Sequence, residues 1–268
     1  MTVTRIEQRF ALAREQSRAC LIPFIMGGDP DLTVTSDSLT ALAENGADII
    51  EIGMPFSDPV ADGPAIQNAG QRALHHTISL DDIFKTVTAF RQTDDQTPVV
   101  LMGYYNPVYV YGLDAFASAA AAAGIDGVIL VDLPTEEEQE ALPALRAAEI
   151  ALIKLVTPTS DEERLQKILP TASGFVYYVS VAGTTGGKSA QYDQVEKALH
   201  TLRRYTDLPV AVGFGIKTPQ DVKTVSGFAD GVVVGSALVD KMAHSATPVQ
   251  TAADFTKSLS SALVKNDV

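Results

Sequence analysis

Eight short, β-branched, almost uninterrupted apolar runs punctuate the chain, each followed by a stretch long enough for a helix, and this beat restricts the fold more than any other feature. The runs cover 21–27, 48–54, 98–104, 127–133, 151–156, 175–181, 209–215 and 231–236. Helical periodicity lies between them at 33–45, 80–92, 113–123, 136–148, 161–169, 191–204 and 218–226, and 249–264 closes the series. Strands without polar alternation are buried on both faces, as in a parallel sheet covered by helices. Eight such units in 268 residues predict one closed (β/α)8 (TIM) barrel, a single domain over 1–268 with no composition break. Upstream, Ile6, Phe10 and Ala13 repeat at helical spacing over 4–17, which suits an extra N-terminal helix across the barrel floor.

Gly46-Ala47-Asp48, Gly124-Ile125-Asp126 and Phe228-Ala229-Asp230 each lead into an apolar run. The glycines suit helix ends, which puts these aspartates at the stabilising, N-terminal end of the barrel.

Charge and cysteine usage narrow the function. A net charge of −13 disfavours nucleic acid and anionic membranes, which need an electropositive footprint. An anionic substrate must then be held by local dipoles against the overall field. The single cysteine, Cys20, cannot form an internal disulfide and reads as packing in a reducing compartment. His75 and His76 are adjacent while His200 and His244 are isolated, so no metal site is expected. The charged start and the lack of a run approaching the ~20 apolar residues that span a bilayer predict a cytoplasmic protein.

Chemistry in such a barrel gathers where strands end. In Ile49-Ile50-Glu51-Ile52-Gly53 a carboxylate interrupts an apolar strand. Period-two alternation turns Ile50 and Ile52 to the helices and Glu51 to the barrel axis. Burial raises a carboxyl's pKa and suits it to acid–base work near neutrality; a buried ion pair is the alternative. The loop that follows, Pro55 to Pro64, carries Asp58 and Asp62, and spacing alone does not choose between them as a second carboxylate.

Glycine-rich loops after the sixth, seventh and eighth runs form a candidate phosphate cup: Gly183-Thr184-Thr185-Gly186-Gly187-Lys188, Gly213-Phe214-Gly215-Ile216 and Gly235-Ser236. Lys188 reads as a ligand contact or as an exposed lid lysine. Lys154 interrupts the fifth run as a Schiff-base candidate or as an ion-pair partner. Asp132 reads as a substrate-orienting group or a helix cap, and Phe24 and Tyr177 as pocket walls or core.

The motifs PFIMGGDP (23–30), GADIIEIGMPFSDPVADGPAIQ (46–67), LMGYYNPV (101–108), DGVILVDLP (126–134), YYVSVAGTTG (177–186), VGFGIKTP (212–219) and ADGVVVGSALV (229–239) run nearly end to end. With them the chain resembles the α-subunit family of tryptophan synthase, the indole-3-glycerol-phosphate lyases. The resemblance implies retro-aldol cleavage of indole-3-glycerol phosphate to indole and glyceraldehyde 3-phosphate, with Glu51 as general acid–base and Asp62 at the indole N–H. It also implies Phe24 and Tyr177 at the indole, and Thr185, Gly186, Phe214, Gly215, Gly235 and Ser236 around the substrate and its phosphate. No cofactor is implied in this chain; pyridoxal phosphate belongs to a β-subunit partner in an α2β2 heterotetramer. The loops 54–63 and 183–193 are then lids and interface elements. Two departures stand out: Gly183-Thr184-Thr185-Gly186 where the family has Gly-Val-Thr-Gly, and Lys154 on a strand of small or apolar residues. The rival readings are a stand-alone indole-releasing lyase and a Schiff-base aldolase using Lys154.

Overall fold

The computed structural model describes residues 4–180, 187–213 and 215–263, and of 187–191 the backbone alone. Parallel strands β1 (Cys20–Met26), β2 (Ile50–Gly53), β3 (Val99–Gly103), β4 (Gly127–Leu130), β5 (Ala151–Leu152), β6 (Lys154–Val156), β7 (Val176–Val179), β8 (Val210–Gly213) and β9 (Gly231–Val234) run in the order β5-β4-β3-β2-β1-β9-β8-β7-β6. β5 and β6 are two halves of the expected fifth strand. The first half pairs with β4, the second with β7, and the chain closes the ring through Ile153, whose N–H donates to Val128 O at 3.0 Å. The sixth to eighth expected strands are therefore β7, β8 and β9.

Side-chain parity divides the barrel into two layers. Outward residues such as Ile50, Ile52, Val99 and Leu101 pack under α2 (Leu32–Glu44), α4 (Leu80–Phe90) and α6 (Leu113–Ala123). Inward residues Ile22, Ile49, Val100, Ile129, Ile153, Phe175, Ala211 and Val233 fill the axis. The helix α1 (Arg5–Glu15) presses Ile6 and Phe10 into the lower end of that column, with the Phe10 ring 5.6 Å from Phe175. Thr4 starts it with a capping box: its Oγ1 accepts from Glu7 N while its own N–H donates to the Glu7 carboxylate. Among the described residues, no helix is long and apolar enough to cross a membrane.

Three departures from the periodicity have local causes. The helix expected over 136–148 shrinks to α7 (Leu142–Ala147), because turns run through the acidic segment before it. Helix α5 (Tyr105–Tyr111) is an addition, with its first N–H, on Tyr105, bonded to the Asp132 carboxylate at 2.7 Å. Helix α11 (Ser236–Ala243) is another, beginning directly where β9 ends. The remaining helices are α3 (Pro64–His75), α8 (Glu162–Ile168), α9 (Gly187–Leu202), α10 (Pro219–Val225) and α12 (Pro248–Ser260).

The three repeated aspartates share one task at the lower rim, as the echo in the sequence implies. Asp48 accepts from Leu21 N, Asp126 from Val99 N and Asp230 from Val210 N, so each clamps the start of a neighbouring strand. Each also holds arginine: Arg18 on Asp48, Arg5 and Arg91 on Asp126, Arg203 on Asp230. Cys20 is buried against Arg9 O, in keeping with packing.

Removing a carboxylate from a buried cluster strands its partners, whereas an exposed pair is worth little. Asp126→Ala is expected to lose on the order of 3 kcal/mol in urea unfolding, and Asp230→Ala, whose side chain is 34% exposed, only about 1 kcal/mol. Equal losses would contradict this ranking.

Candidate active site

Glu51 sits mid-strand in β2 with Phe24 and Val100 beside it in register. It is 1% exposed, and its Oε2 has no hydrogen-bond partner among the described residues. No arginine or lysine answers it there, which removes the buried-ion-pair alternative for the described residues. Desolvation, and secondarily the charge of Asp62, push its pKa up to about 8, so the carboxyl is protonated at neutral pH.

The β2–α3 loop brings Asp62 over Glu51 and leaves Asp58 outside. Asp62 precedes Gly63, the N-cap of α3, and Gln67 Nε2 donates to its carbonyl at 2.9 Å. Tyr104, at the end of β3, secures the loop: its hydroxyl accepts from Ala61 N at 2.9 Å and its ring stacks on Phe56 at 5.0 Å. Burial raises the Asp62 pKa, and the same hydroxyl partly offsets the rise. Asp58 is exposed, and its carboxylate accepts only from the neighbouring Ser57 hydroxyl among the described residues. Tyr104 is a site residue that periodicity does not single out, although it stands where a strand ends.

Two glycines make room for two aromatic walls. A Cβ on Gly53 would lie 2.5 Å from the Phe24 ring, and one on Gly213 would lie 2.1 Å from the Tyr177 hydroxyl. Both rings are buried, and burial lifts the Tyr177 pKa well above 10, so it stays a neutral phenol.

Opposite the carboxyls, Gly215 has φ +75° with open space where a Cβ would stand. Gly235 is the N-cap of α11, and Ser236 is its first residue. The Gly235 carbonyl takes the N–H groups of Leu238 and Val239, leaving those of Ser236 and Ala237 to point out of the helix end. Thr185, Gly186 and Phe214 lie outside the described residues, and so does the Lys188 side chain. A single cavity of about 460 Å³ is lined by Phe24, Glu51, Asp62, Tyr177, Gly215, Gly235 and Ser236 together. It combines an apolar slot, a neutral acid, a second carboxyl and an array of free backbone donors.

Lys154 is elsewhere. It lines a separate cavity of about 710 Å³ between β4 and β6 and forms an ion pair with the buried Glu138. Burial and Arg164 draw its ammonium down to about 8, while the Glu136 carboxylate works in the other direction. An imine on Lys154 would lie in a cavity that Glu51 does not line. Asp132, for its part, caps α5.

The family model for the tryptophan synthase alpha chain matches residues 10–265. The chain belongs to the tryptophan synthase alpha chain family. A crystal structure of tryptophan synthase subunit alpha from Legionella pneumophila is 39% identical, with a TM-score of 0.91 over 97% of this chain and 98% of that one. A tryptophan synthase structure from M. tuberculosis, in an open form with BRD0059 bound, is 34% identical with a TM-score of 0.88 over 98% and 100%. The fold is thus the α/β TIM barrel of the alpha chains, and the activity is the α reaction of tryptophan synthase in tryptophan biosynthesis, a lyase step. Membership also implies a β-subunit partner.

Glu51 makes stability depend on pH in a definite sense. Its folded pKa, about 8, lies above the reference value of 4.5, so its stabilising contribution is full below 4.5 and is lost as pH rises through about 8. Glu51→Gln lacks this loss. Relative to the parent, its stability in urea is expected to rise by roughly 3 kcal/mol between pH 4.5 and 7; an offset independent of pH would contradict the buried neutral carboxyl.

Proposed function

We propose that Glu51 carries both proton transfers of indole-3-glycerol-phosphate cleavage, with Asp62 as the charge-stabilising carboxylate. The observation that supports it is the neutral Glu51 carboxyl in an apolar cavity, its Oε2 without a partner among the described residues, facing a second, less buried carboxyl. The carbon–carbon bond breaks only after the indole C3 has been protonated, and a carboxylic acid with a pKa near 8 is in the correct state to donate. The resulting ring cation spreads to the indole nitrogen, where the Asp62 carboxylate stabilises it. Glu51, now a carboxylate, removes the proton of the side-chain hydroxyl. That oxygen becomes the aldehyde of glyceraldehyde 3-phosphate, and the bonding pair returns to the ring as indole. Glu51 ends protonated, ready for the next turnover.

Phe24 and Tyr177 hold the indole between apolar surfaces. Gly215, Gly235 and Ser236 receive the phosphate on backbone N–H groups and the helix end, together with Thr185, Gly186 and Phe214. The steps use side chains only, so this chain needs no cofactor, and pyridoxal phosphate belongs to the β subunit. The assembly is an α2β2 heterotetramer in the cytoplasm, in which the loop 54–63 closes over the substrate.

Glu51→Gln is expected to lower kcat for indole release by at least about a hundredfold, and Asp62→Asn by roughly a hundredfold with little change in KM. A near-parental rate in Glu51→Gln would reject the assignment. Adding a β subunit separates subunit from stand-alone enzyme: a rate that rises with the β chain supports the heterotetramer, and full activity without it contradicts that reading.

A further inference from the structure

We propose that Lys217 is the cationic contact for the phosphate of the substrate and sets the preference for a phosphorylated side chain. Three charged residues line the catalytic cavity among those described: Glu51, Asp62 and Lys217. A phosphate dianion entering it meets an overall charge of −13 and a carboxylate at Asp62. Backbone N–H groups and a helix end supply only about half an elementary charge to oppose this. Lys217 supplies a whole one, two residues from Gly215 and in the same cavity as Gly235 and Ser236.

The place of Lys217 in the fold gives it no structural employment. It immediately precedes Thr218, the N-cap of α10. Its backbone N–H is anchored to the Asp221 carboxylate at 3.1 Å, as is that of Thr218, which fixes the root of the side chain. The ammonium has no ion pair or hydrogen bond among the described residues, and the residue is exposed at the cavity rim. A lysine tethered at its base, with no partner for its tip among the described residues, is available to an incoming anion at little desolvation cost. As a rim charge it also steers the anion, an effect that added salt weakens.

This inference rests on the phosphate-cup reading, and the test separates the two. Cleavage of indole-3-glycerol phosphate and of its dephosphorylated analogue is measured for the parent, Lys217→Met, Lys217→Arg and Ser236→Asp, alongside thermal unfolding. In Lys217→Met the KM for the phosphorylated substrate should rise roughly tenfold, the scale of one charge-assisted hydrogen bond. The ratio of kcat/KM between phosphorylated and dephosphorylated substrates should fall by the same factor. The KM should lose part of its salt dependence, and Tm should not drop. Lys217→Arg should restore most of the ratio. An unchanged ratio in Lys217→Met with a raised KM in Ser236→Asp would overturn the role of Lys217 and keep the cup. An unchanged KM in both variants would overturn the cup as well.

Discussion

Keeping one carboxyl group out of water, with no cation among the described residues to neutralise it, is the constraint around which the upper half of this barrel is organised. Glu51 occupies an inward position of β2, and no arginine, lysine or backbone donor among the described residues satisfies its Oε2. An ionised carboxylate there would be costly, so the group holds its proton to about pH 8. That single consequence of burial turns a side chain that is unfavourable for stability into an acid usable at neutral pH. Phe24 and Tyr177 supply the dry walls, and Gly53 and Gly213 supply the space those rings need. Asp62 is held nearby but less buried, so the two carboxyls differ in environment and can differ in task.

The lower rim shows the opposite treatment of the same functional group. Asp48, Asp126 and Asp230 are all met by arginines and by strand N–H groups, and they lock the starts of β1, β3 and β8. Paired carboxylates hold the staves in register at one end, and an unpaired one is tolerated at the other. The barrel supports this contrast because β1 to β4, continuing into β5, and β6 to β9 are tied side by side below the site. The outward backbone donors of Ser236 and Ala237 and the open Gly215 complete the upper rim without adding side-chain bulk. Lys154 and Glu138 show a third solution, a lysine and a carboxylate buried together in a cavity of their own.

The strand–helix beat and the inward parity of Glu51 were legible because both depend on local period, which survives in a bare sequence. The repeated aspartates were legible for a similar reason: a helix-ending segment followed by aspartate and an apolar run describes a barrel floor. Asp62 and Asp58 could not be separated by spacing, since the difference comes from Tyr104, whose hydroxyl reaches Ala61 from another strand. The split of the fifth strand was hidden as well, because 151–156 is apolar enough to be one strand and only its change of partner divides it. Helix α5 begins on a cap supplied from the end of β4, a contact across 27 residues that no local pattern contains. Lys217 stood in a glycine-rich loop motif, yet its meaning required the cavity that gathers three strand ends.

The most direct test of this account is the titration of the Glu51 carboxyl itself. Carbon-13 NMR of glutamate-labelled protein, with Glu51→Gln assigning the signal, follows its ionisation without reference to turnover. A carboxyl that stays protonated at neutral pH and titrates near 8, shifting only modestly downward in Asp62→Asn, is the predicted result. A midpoint near the ordinary value of 4.5 would contradict the claim that burial prepares this residue as the acid.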